Sequence, residues 1–180
     1  MTLLDDQRTT AARSMLRGGG PRVGSRARTA LVLASATLMI AGAVLAFLHH
    51  RGEELDAARR AAASSAESRL SALLSYRHDH LDPDLSRAVA QTTGAFHDEY
   101  EELVTTTVRP TAERLKVDTT AGVSGVGVID AVDERRVVVL AFVTQSTVTG
   151  GRAPVVSGSR VETTMVRVGD DWLISELRPV

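Results

Sequence analysis

The chain has 180 residues, a formal net charge of −1 at pH 7 and no cysteine. The lack of cysteine excludes disulfides, thiol catalysis, iron–sulfur clusters and cysteine-ligated zinc, so an exported domain must rely on its hydrophobic core. Of the 21 basic and 22 acidic side chains, 15 and 20 lie in residues 49–180. This mildly acidic part lacks the positive field that holds a phosphate backbone, so nucleic acid is excluded as a partner.

Residues 1–28 form a basic tail with six arginines against two aspartates. Low apolar content and the run Gly18-Gly19-Gly20-Pro21 predict that the tail is disordered. Its arginines are suited to anionic lipid of the inner leaflet, and their simplest role is to orient the chain in a membrane.

Residues 29–48 contain no charged side chain, and Arg28 and His49-His50-Arg51 close the two ends of the run. Twenty helical residues at about 1.5 Å each span the roughly 30 Å hydrocarbon core of a bilayer. The sequence therefore predicts a single transmembrane helix over 29–48. Its anchoring side chains are Thr29, Leu31, Leu33, Leu38, Ile40, Leu45, Phe47 and Leu48.

The charge on either side of this run sets the predicted orientation. Arg22, Arg26 and Arg28 precede it, whereas the arginines that follow are matched by acidic residues. The positive-inside rule then places the N-terminus in the cytoplasm and residues 49–180 outside the inner membrane. A cleaved signal peptide is the alternative, with Ala41-Gly42-Ala43 as its cleavage site. We favour the uncleaved anchor because the apolar run exceeds the roughly 7–15 residues of a signal core.

After the anchor, residues 53–75 carry apolar side chains at helical spacing, mostly alanine at first and then leucine. We interpret residues 49–69 as a helical stalk and residues 70–180 as an extracytoplasmic α+β domain. Alanine at many stalk positions permits close helix packing, and hence a homo-oligomer through the stalk.

Two further helices are predicted before the strands begin. Asp82-Pro83-Asp84 predicts a helix start, with Asp82 as the N-cap, and the helix runs to about Gln91. Thr92-Thr93-Gly94 interrupts it. A second helix follows, and its apolar face carries Phe96, Tyr100, Leu103, Val104 and Thr107. Pro110 is expected to stop or kink this second helix.

The remaining sequence has the pattern of strands. Val117–Ile129, Arg136–Thr149 and Ser159–Val168 are rich in β-branched residues. Gly169-Asp170-Asp171 predicts a tight turn into a last strand, Trp172–Arg178. Helices followed by an antiparallel sheet predict an α+β fold whose curved sheet is covered by helices on one face.

Two polar clusters are candidate active sites. His78-Asp79-His80 has metal-like composition, but spacing supplies no third ligand and a zinc site needs three or four. His97 and Asp98 are predicted on the polar face of their helix and Tyr100 on its apolar face, so they do not form an acid–base set. We therefore predict no catalytic residue, no cofactor and no metal, and hence not an enzyme.

Several segments resemble the Mce-associated membrane proteins of actinobacteria. They are Ala72–Tyr76, Leu81–Ala88, Thr92–Phe96, Glu99-Tyr100, Val108-Arg109-Pro110 and Trp172–Val180. The resemblance covers about residues 30–180 and implies a single-pass protein with a nuclear-transport-factor-2-like (SnoaL-like) cone domain.

By this resemblance, the protein is expected to be an accessory subunit of an Mce-type lipid or sterol importer in the cell envelope. Its partners would then be Mce complex proteins, the permease and membrane lipid. The sequence leaves two alternatives open. The apolar strand around Val137–Val143, with Phe142, would suit a module that holds a lipid in the cone, and an exported isomerase- or dehydratase-like enzyme is the other.

Overall fold

The computed structural model describes residues 25–180, with side chains described from Met39 onward except that of Leu48. The chain divides into two compact units, residues 1–47 and residues 48–180. Predictions for Arg22 and the rest of residues 1–24 lie outside the described residues. So do the side chains of Arg26, Arg28, Thr29, Leu31, Leu33, Leu38 and Leu48.

The described chain contains four α-helices, one π-helical turn and four strands. Helix α1 is Ser25–Leu73, α2 is Leu81–Val89, α3 is Ala95–Leu103 and α4 is Arg109–Leu115, with the π-helical turn Val104–Val108 between α3 and α4. The strands are β1 (Val117–Asp133), β2 (Arg136–Thr149), β3 (Val155–Val168) and β4 (Asp171–Pro179).

The first unit contributes only helical residues to the described part. Three predicted anchor side chains are described there, Ile40, Leu45 and Phe47, and they are 65%, 70% and 57% exposed. Among the described residues, no helix has a stretch that is both long and apolar enough to cross a membrane. Because five of the eight predicted anchor side chains lie outside the described set, the anchor stays a prediction.

The second unit is built on an antiparallel sheet in the order β1-β2-β3-β4. Consecutive strands pair as neighbours, as short turns require, and Gly169 adopts φ 62° in the two-residue turn between β3 and β4. The predicted α+β architecture, with helices packed against a curved antiparallel sheet, is confirmed. Strand β2 has the predicted bounds, and the Gly150-Gly151 loop follows it.

Two strands are longer than predicted. Strand β1 continues past Ile129 to Asp133, and β3 begins at Val155 rather than Ser159. Residues 155–158 are all exposed, so they show no apolar alternation from which a strand can be predicted. Backbone pairing of Val155 with Thr147 and Val156 with Ser146 holds them in the sheet instead.

The C-terminal part of α1, from Ala58 onward, covers the inner face of the sheet. Ala62, Ala66 and Leu70 are fully buried, and alanine lets the helix axis lie close to the strands. They belong to one core cluster, which also contains Ala58, Leu73, Val137, Val139, Ala141, Val143, Met165, Trp172 and Ile174. The segment predicted as a stalk thus contributes core side chains from Ala58 onward, and its alanine stripe contacts the chain's own sheet.

Two details of the predicted helices are wrong. Helix α2 begins at Leu81, its N-cap residue is His80, and no side chain caps it, so Asp82 is not the cap. On the next helix, Leu103 is 48% exposed and Thr107 is exposed, although both were predicted on the apolar face. The π-helical turn Val104–Val108 contains Thr107 and changes the helical phase there, so an extrapolated 3.6-residue period fails at Thr107. Leu103 precedes this turn, and nothing in the structure explains its exposure.

Short backbone bridges cover parts of both sheet edges. Tyr76 pairs with Thr119 at the start of β1, and Thr92 pairs with Ile174 on β4. Gly94 follows with φ 66°, a conformation that favours glycine, and it restarts the chain as α3. The predicted interruption at Thr92-Thr93-Gly94 is confirmed, and it also protects the β4 edge.

Candidate functional site

The histidines of the His78-Asp79-His80 segment contact two different aspartates. The Nδ1 atom of His78 lies 2.7 Å from Oδ1 of Asp118, and that of His80 lies 3.3 Å from Oδ1 of Asp84. The two rings are thus drawn to separate carboxylates, one on β1 and one on α2. Within the described part of the chain, no cluster of three or more side chains could hold a metal ion.

Asp84 is the buried centre of this region. Its carboxylate accepts hydrogen bonds from the backbone N–H of Arg77 at 3.2 Å and from Nη1 of Arg87 at 3.1 Å. Burial by itself raises the pKa of Asp84, but the hydrogen bonds from His80, Arg77 and Arg87 outweigh it and hold the pKa below its ordinary value. The carboxylate therefore stays ionised, fastening the α1–α2 connection to α2.

Asp118 fastens the same connection to the sheet. The backbone N–H of His78 donates to its Oδ1 at 2.8 Å, and this bond together with the imidazole holds the pKa of Asp118 below its ordinary value. The arrangement ties residue 78 to the start of β1. An ionised carboxylate that accepts several bonds suits structural fastening, whereas a general base needs a pKa nearer neutrality.

The three side chains considered as an acid–base set are not brought together. Nδ1 of His97 lies 3.0 Å from the buried Oγ1 of Thr92, whereas the hydroxyl of Tyr100 donates to the carbonyl oxygen of Leu73 at 2.7 Å. Asp98 is exposed to solvent. The hydrogen bonds of His97 and Tyr100 join secondary-structure elements, and neither bond is directed at the other members of the set.

The inner face of the sheet is filled by the chain itself. Val137, Val139, Ala141 and Val143, the side chains that motivated a lipid-holding cone, are at most 1% exposed beneath α1. Phe142, the fifth, points to the opposite face. A ligand on the inner face would have to displace α1 from this core.

The outer face of the sheet carries an apolar ridge, formed by Val138, Leu140 and Phe142 on β2. Val138 and Leu140 are half-buried, and Phe142 is 46% exposed. Gly125 lies opposite Phe142 on β1, where a Cβ atom would come within 3.7 Å of the phenyl ring. The phenyl ring therefore lies over Gly125, whereas nothing lies within 4 Å of a Cβ atom at Gly127, opposite Leu140. The flank of the ridge is low and open at Gly127, and exposed apolar surface of this kind is available to a partner.

A charged ladder borders the other flank of the ridge. Nη2 of Arg178 lies 3.1 Å from Oε1 of Glu162, and Nε of Arg178 lies 3.3 Å from Oε1 of Glu176. Thr164 donates to Glu176 at 3.3 Å. An apolar centre with a polar rim is typical of protein interfaces, so the outer face is the candidate functional site.

One signal in the sequence indicates this surface. Residues 137–143 are apolar without interruption, which differs from the alternation of a strand with one solvated face. With β2 central in the sheet and its inner face covered, the even-numbered residues of this run must be apolar on the outer face.

The comparisons with known proteins place the chain in a family. No family model matches it. The chain is 35% identical over 123 residues to the outer membrane protein Rv1973 of Mycobacterium tuberculosis, covering 68% of this chain and 76% of that protein. It is also 36% identical over 124 residues to the uncharacterized protein Rv1362c of the same organism, and covers 56% of that longer protein.

Solved structures support the fold alone. CagV, a VirB8 homolog of the type IV secretion system of Helicobacter pylori, matches with a TM-score of 0.54 and 11% identity, over 66% of this chain and 95% of that one. The periplasmic domain of DotI matches with a TM-score of 0.55 and 12% identity, over 66% and 91%. Residues packed around α1 thus adopt a VirB8-like cone fold, and the chain belongs to the family of the mycobacterial outer membrane protein Rv1973.

Proposed function

We propose that the protein is a non-enzymatic, membrane-anchored accessory subunit of an Mce-type lipid or sterol importer in the cell envelope. The observation that carries the proposal is the contrast between the two faces of the sheet. The inner face is filled by α1, whereas the outer face presents Phe142 beside an open glycine flank. A domain with this contrast is built to contact another protein rather than to enclose a small molecule.

The family supports an envelope location for the proposal. A relative with 35% identity carries the name of an outer membrane protein, and the fold matches a periplasmic domain. The link to an Mce importer comes from the segments that resemble Mce-associated membrane proteins, Leu81–Ala88 and Trp172–Val180 among them. On this proposal the anchor at 29–48 holds the domain at the inner membrane, with Mce proteins, the permease and membrane lipid as partners.

The proposal is tested by purifying the tagged full-length chain from detergent-solubilised envelopes. We expect Mce proteins and the permease to co-purify, and their levels to fall in a deletion strain. The importer role would be contradicted if Mce proteins did not co-purify and their levels were unchanged in the deletion strain. Separating inner from outer membranes decides the location, and N-terminal sequencing decides the anchor, because a new terminus near residue 44 would mean cleavage.

The same preparation tests the two alternatives. Mass spectrometry of the purified intact protein would show retained lipid if the extracytoplasmic domain were a lipid-holding module. An enzyme would lose function when His97 or Asp98 is replaced by alanine with folding and assembly intact. We expect neither, because the inner face is filled by α1 and His97 is bonded to Thr92.

A further inference from the structure

The outer face of the sheet carries bulky side chains on β2 and smaller ones on β1. Residues that lie directly opposite each other in an antiparallel pair point to the same face, so the register of β1 with β2 gives the outward rows. Four rows follow along the two strands: Phe142 with Gly125, Leu140 with Gly127, Val138 with Asp130, and Arg136 with Asp133. The apolar ridge of β2 therefore runs beside a low strip of β1 that contains two glycines.

The low strip is open beside Leu140. Among the described residues, nothing lies within 4 Å of a Cβ atom placed on Gly127, whereas the ring of Phe142 lies 3.7 Å from one placed on Gly125. Leu140 is half-buried and Phe142 is 46% exposed. A ridge and a low strip that lie side by side on one face have the shape of a self-complementary interface, in which the ridge of each copy enters the strip of the other.

A pair of opposite charges lies at one end of the ridge. Arg136 and Asp133 are both exposed, and in the part of the chain that the structure describes Arg136 forms no ion pair. Oδ1 of Asp133 accepts the backbone N–H of Arg135 at 2.7 Å. Asp130 lies one row away from Asp133 on the same face of β1. A cation on β2 thus lies beside carboxylates on β1, and a two-fold rotation that exchanges the two strands brings opposite charges together.

We infer that the outer face binds the same face of a second copy, about a two-fold axis that runs parallel to the strands and midway between β1 and β2. Such an axis keeps each residue at its position along the strands and exchanges β1 with β2, with the two sheets about 10 Å apart. Each residue of β2 therefore meets, in the second copy, the residue that it opposes in its own sheet. Leu140 packs on the second copy's Gly127, and Arg136 pairs with the second copy's Asp133. The two Phe142 rings, which lean over Gly125, meet beside the axis.

The overlap is two strands wide, so the charged ladder stays outside it. Glu162 and Arg178 lie on β3 and β4, beyond the overlap, and neither charge has to leave water. The alanine stripe of α1 takes no part, because it is occupied by the chain's own sheet. The inference rests on the proposed function, since it assigns a partner to the outer face, and the importer proteins then bind the paired form of the protein.

The ion pair makes the arrangement testable by charge reversal. Two differently tagged full-length copies are expressed together, extracted from native membranes in mild detergent and captured through one tag, and the amount of the other tag is measured. Arg136→Asp in both copies places a carboxylate against the second copy's Asp133, and Asp133→Arg in both copies places two guanidinium groups together. Like charges in contact oppose association, so we expect each reversal to lower the capture of the second copy at least five-fold.

The decisive sample mixes the two variants, with Arg136→Asp in one copy and Asp133→Arg in the other. Both contacts between the copies then join opposite charges, whereas neither chain regains the pair within its own sheet, so we expect at least half of the natural capture to return. No second copy with the natural sequence, capture that the reversals leave unchanged, or no recovery in the mixed sample overturns the inference. If Mce proteins are still captured in that case, the proposed function stands, whereas paired copies without Mce proteins contradict the proposed function alone.

A second comparison tests the packing of the ridge. Gly127 on β1 and Gly158 on β3 both lie on the outer face, and nothing among the described residues is within 4 Å of a Cβ atom at either. Gly127→Val fills the space that the second copy's Leu140 takes, so we expect at least five-fold lower capture with an unchanged circular dichroism spectrum. Gly158→Val lies beyond the overlap and should keep the natural capture. Equal capture by the two folded variants contradicts this packing, and the charge reversals decide the inference where Gly127→Val does not fold.

Discussion

The hydroxyl of Tyr100 on α3 donates a 2.7 Å hydrogen bond to the carbonyl oxygen of Leu73, the last residue of α1. The last carbonyls of a helix have no partner within the helix, so a side chain from α3 satisfies one of them and ties the two elements together. Burial, with a smaller contribution from nearby Tyr76, raises the pKa of Tyr100 to about 12. The hydroxyl is therefore neutral and remains a donor throughout the physiological range.

Replacing Tyr100 by phenylalanine removes this donor and leaves the ring in place. Because the carbonyl of Leu73 then loses its partner in a partly buried position, we expect a loss of about 1 kcal/mol in the free energy of unfolding. Urea unfolding followed by circular dichroism measures it. Tyr76→Phe is the matched control, since the structure shows no hydrogen bond from the hydroxyl of Tyr76 among the described residues, and an equal loss in both variants would contradict the assignment.

Because the inner face is filled, a larger side chain in place of a buried alanine of α1 should lower the free energy of unfolding. Ala66 is fully buried, so Ala66→Leu forces α1 away from the sheet and should lower the free energy of unfolding by about 1–3 kcal/mol. Ala61 is exposed on the same helix, and Ala61→Leu should change stability little. Thermal and urea unfolding of the two variants makes the comparison. If Ala66→Leu were as stable as Ala61→Leu, the inner face would have room for a ligand after all.

Asp84 and Asp118 predict a loss of stability in acid. Each has a pKa that is lower in the folded protein than its ordinary value of 3.8. Their contribution is therefore present above about pH 4 and is lost as the pH falls through the lower pKa of the folded state. Asp84→Asn should be less stable at pH 7 and should show a shallower decline between about pH 4 and pH 2.

The control for this pH series is Asp98→Asn, since Asp98 is exposed on the surface of α3. In this variant, the free energy of unfolding should change with pH as it does in the natural sequence. Unfolding free energies at intervals of half a pH unit provide the data. An unaltered acid slope in Asp84→Asn would mean that Asp84 is not held in its ionised form by Arg77, His80 and Arg87.

The outer ridge predicts a variant that folds but loses its partner. Phe142 is 46% exposed and its cross-strand neighbour on β3 is Arg160, so Phe142→Glu should cost little stability while replacing the apolar ring of the proposed interface by a hydrated carboxylate. We expect at least a ten-fold loss of co-purifying Mce proteins. Thr144→Glu introduces the same charge two residues along the same face, nearer the rim, and should retain most binding. Equal binding by both variants would remove the ridge from the interface.

Sequence patterns correctly predicted those parts of the fold in which the conformational preference of the residues agrees with the way they are buried. The span of β2 and the turn at Gly169 are examples. An unbroken run of β-branched and apolar residues favours a strand, and a two-residue turn with glycine favours a hairpin. The predicted helix start at Asp82 was wrong, because the N-cap residue is His80, two residues earlier in the chain. Buried Asp84 lies in the first turn and is bonded to Arg77, His80 and Arg87. The π-helical turn at residues 104–108 likewise shifted Thr107 away from the face that a fixed period predicts.

By itself, the sequence determined the class of this protein, α+β with a basic tail and a predicted anchor, because composition and periodicity are local properties of the chain. Only the tertiary structure decided which surfaces are available. The alanines that suggested a stalk are buried in one cluster with strand residues more than 50 positions away in the chain, and the apolar ridge of β2 lies on the face of the sheet that α1 leaves uncovered. Both outcomes depend on contacts between segments distant in sequence, which residue periodicity within one segment does not encode.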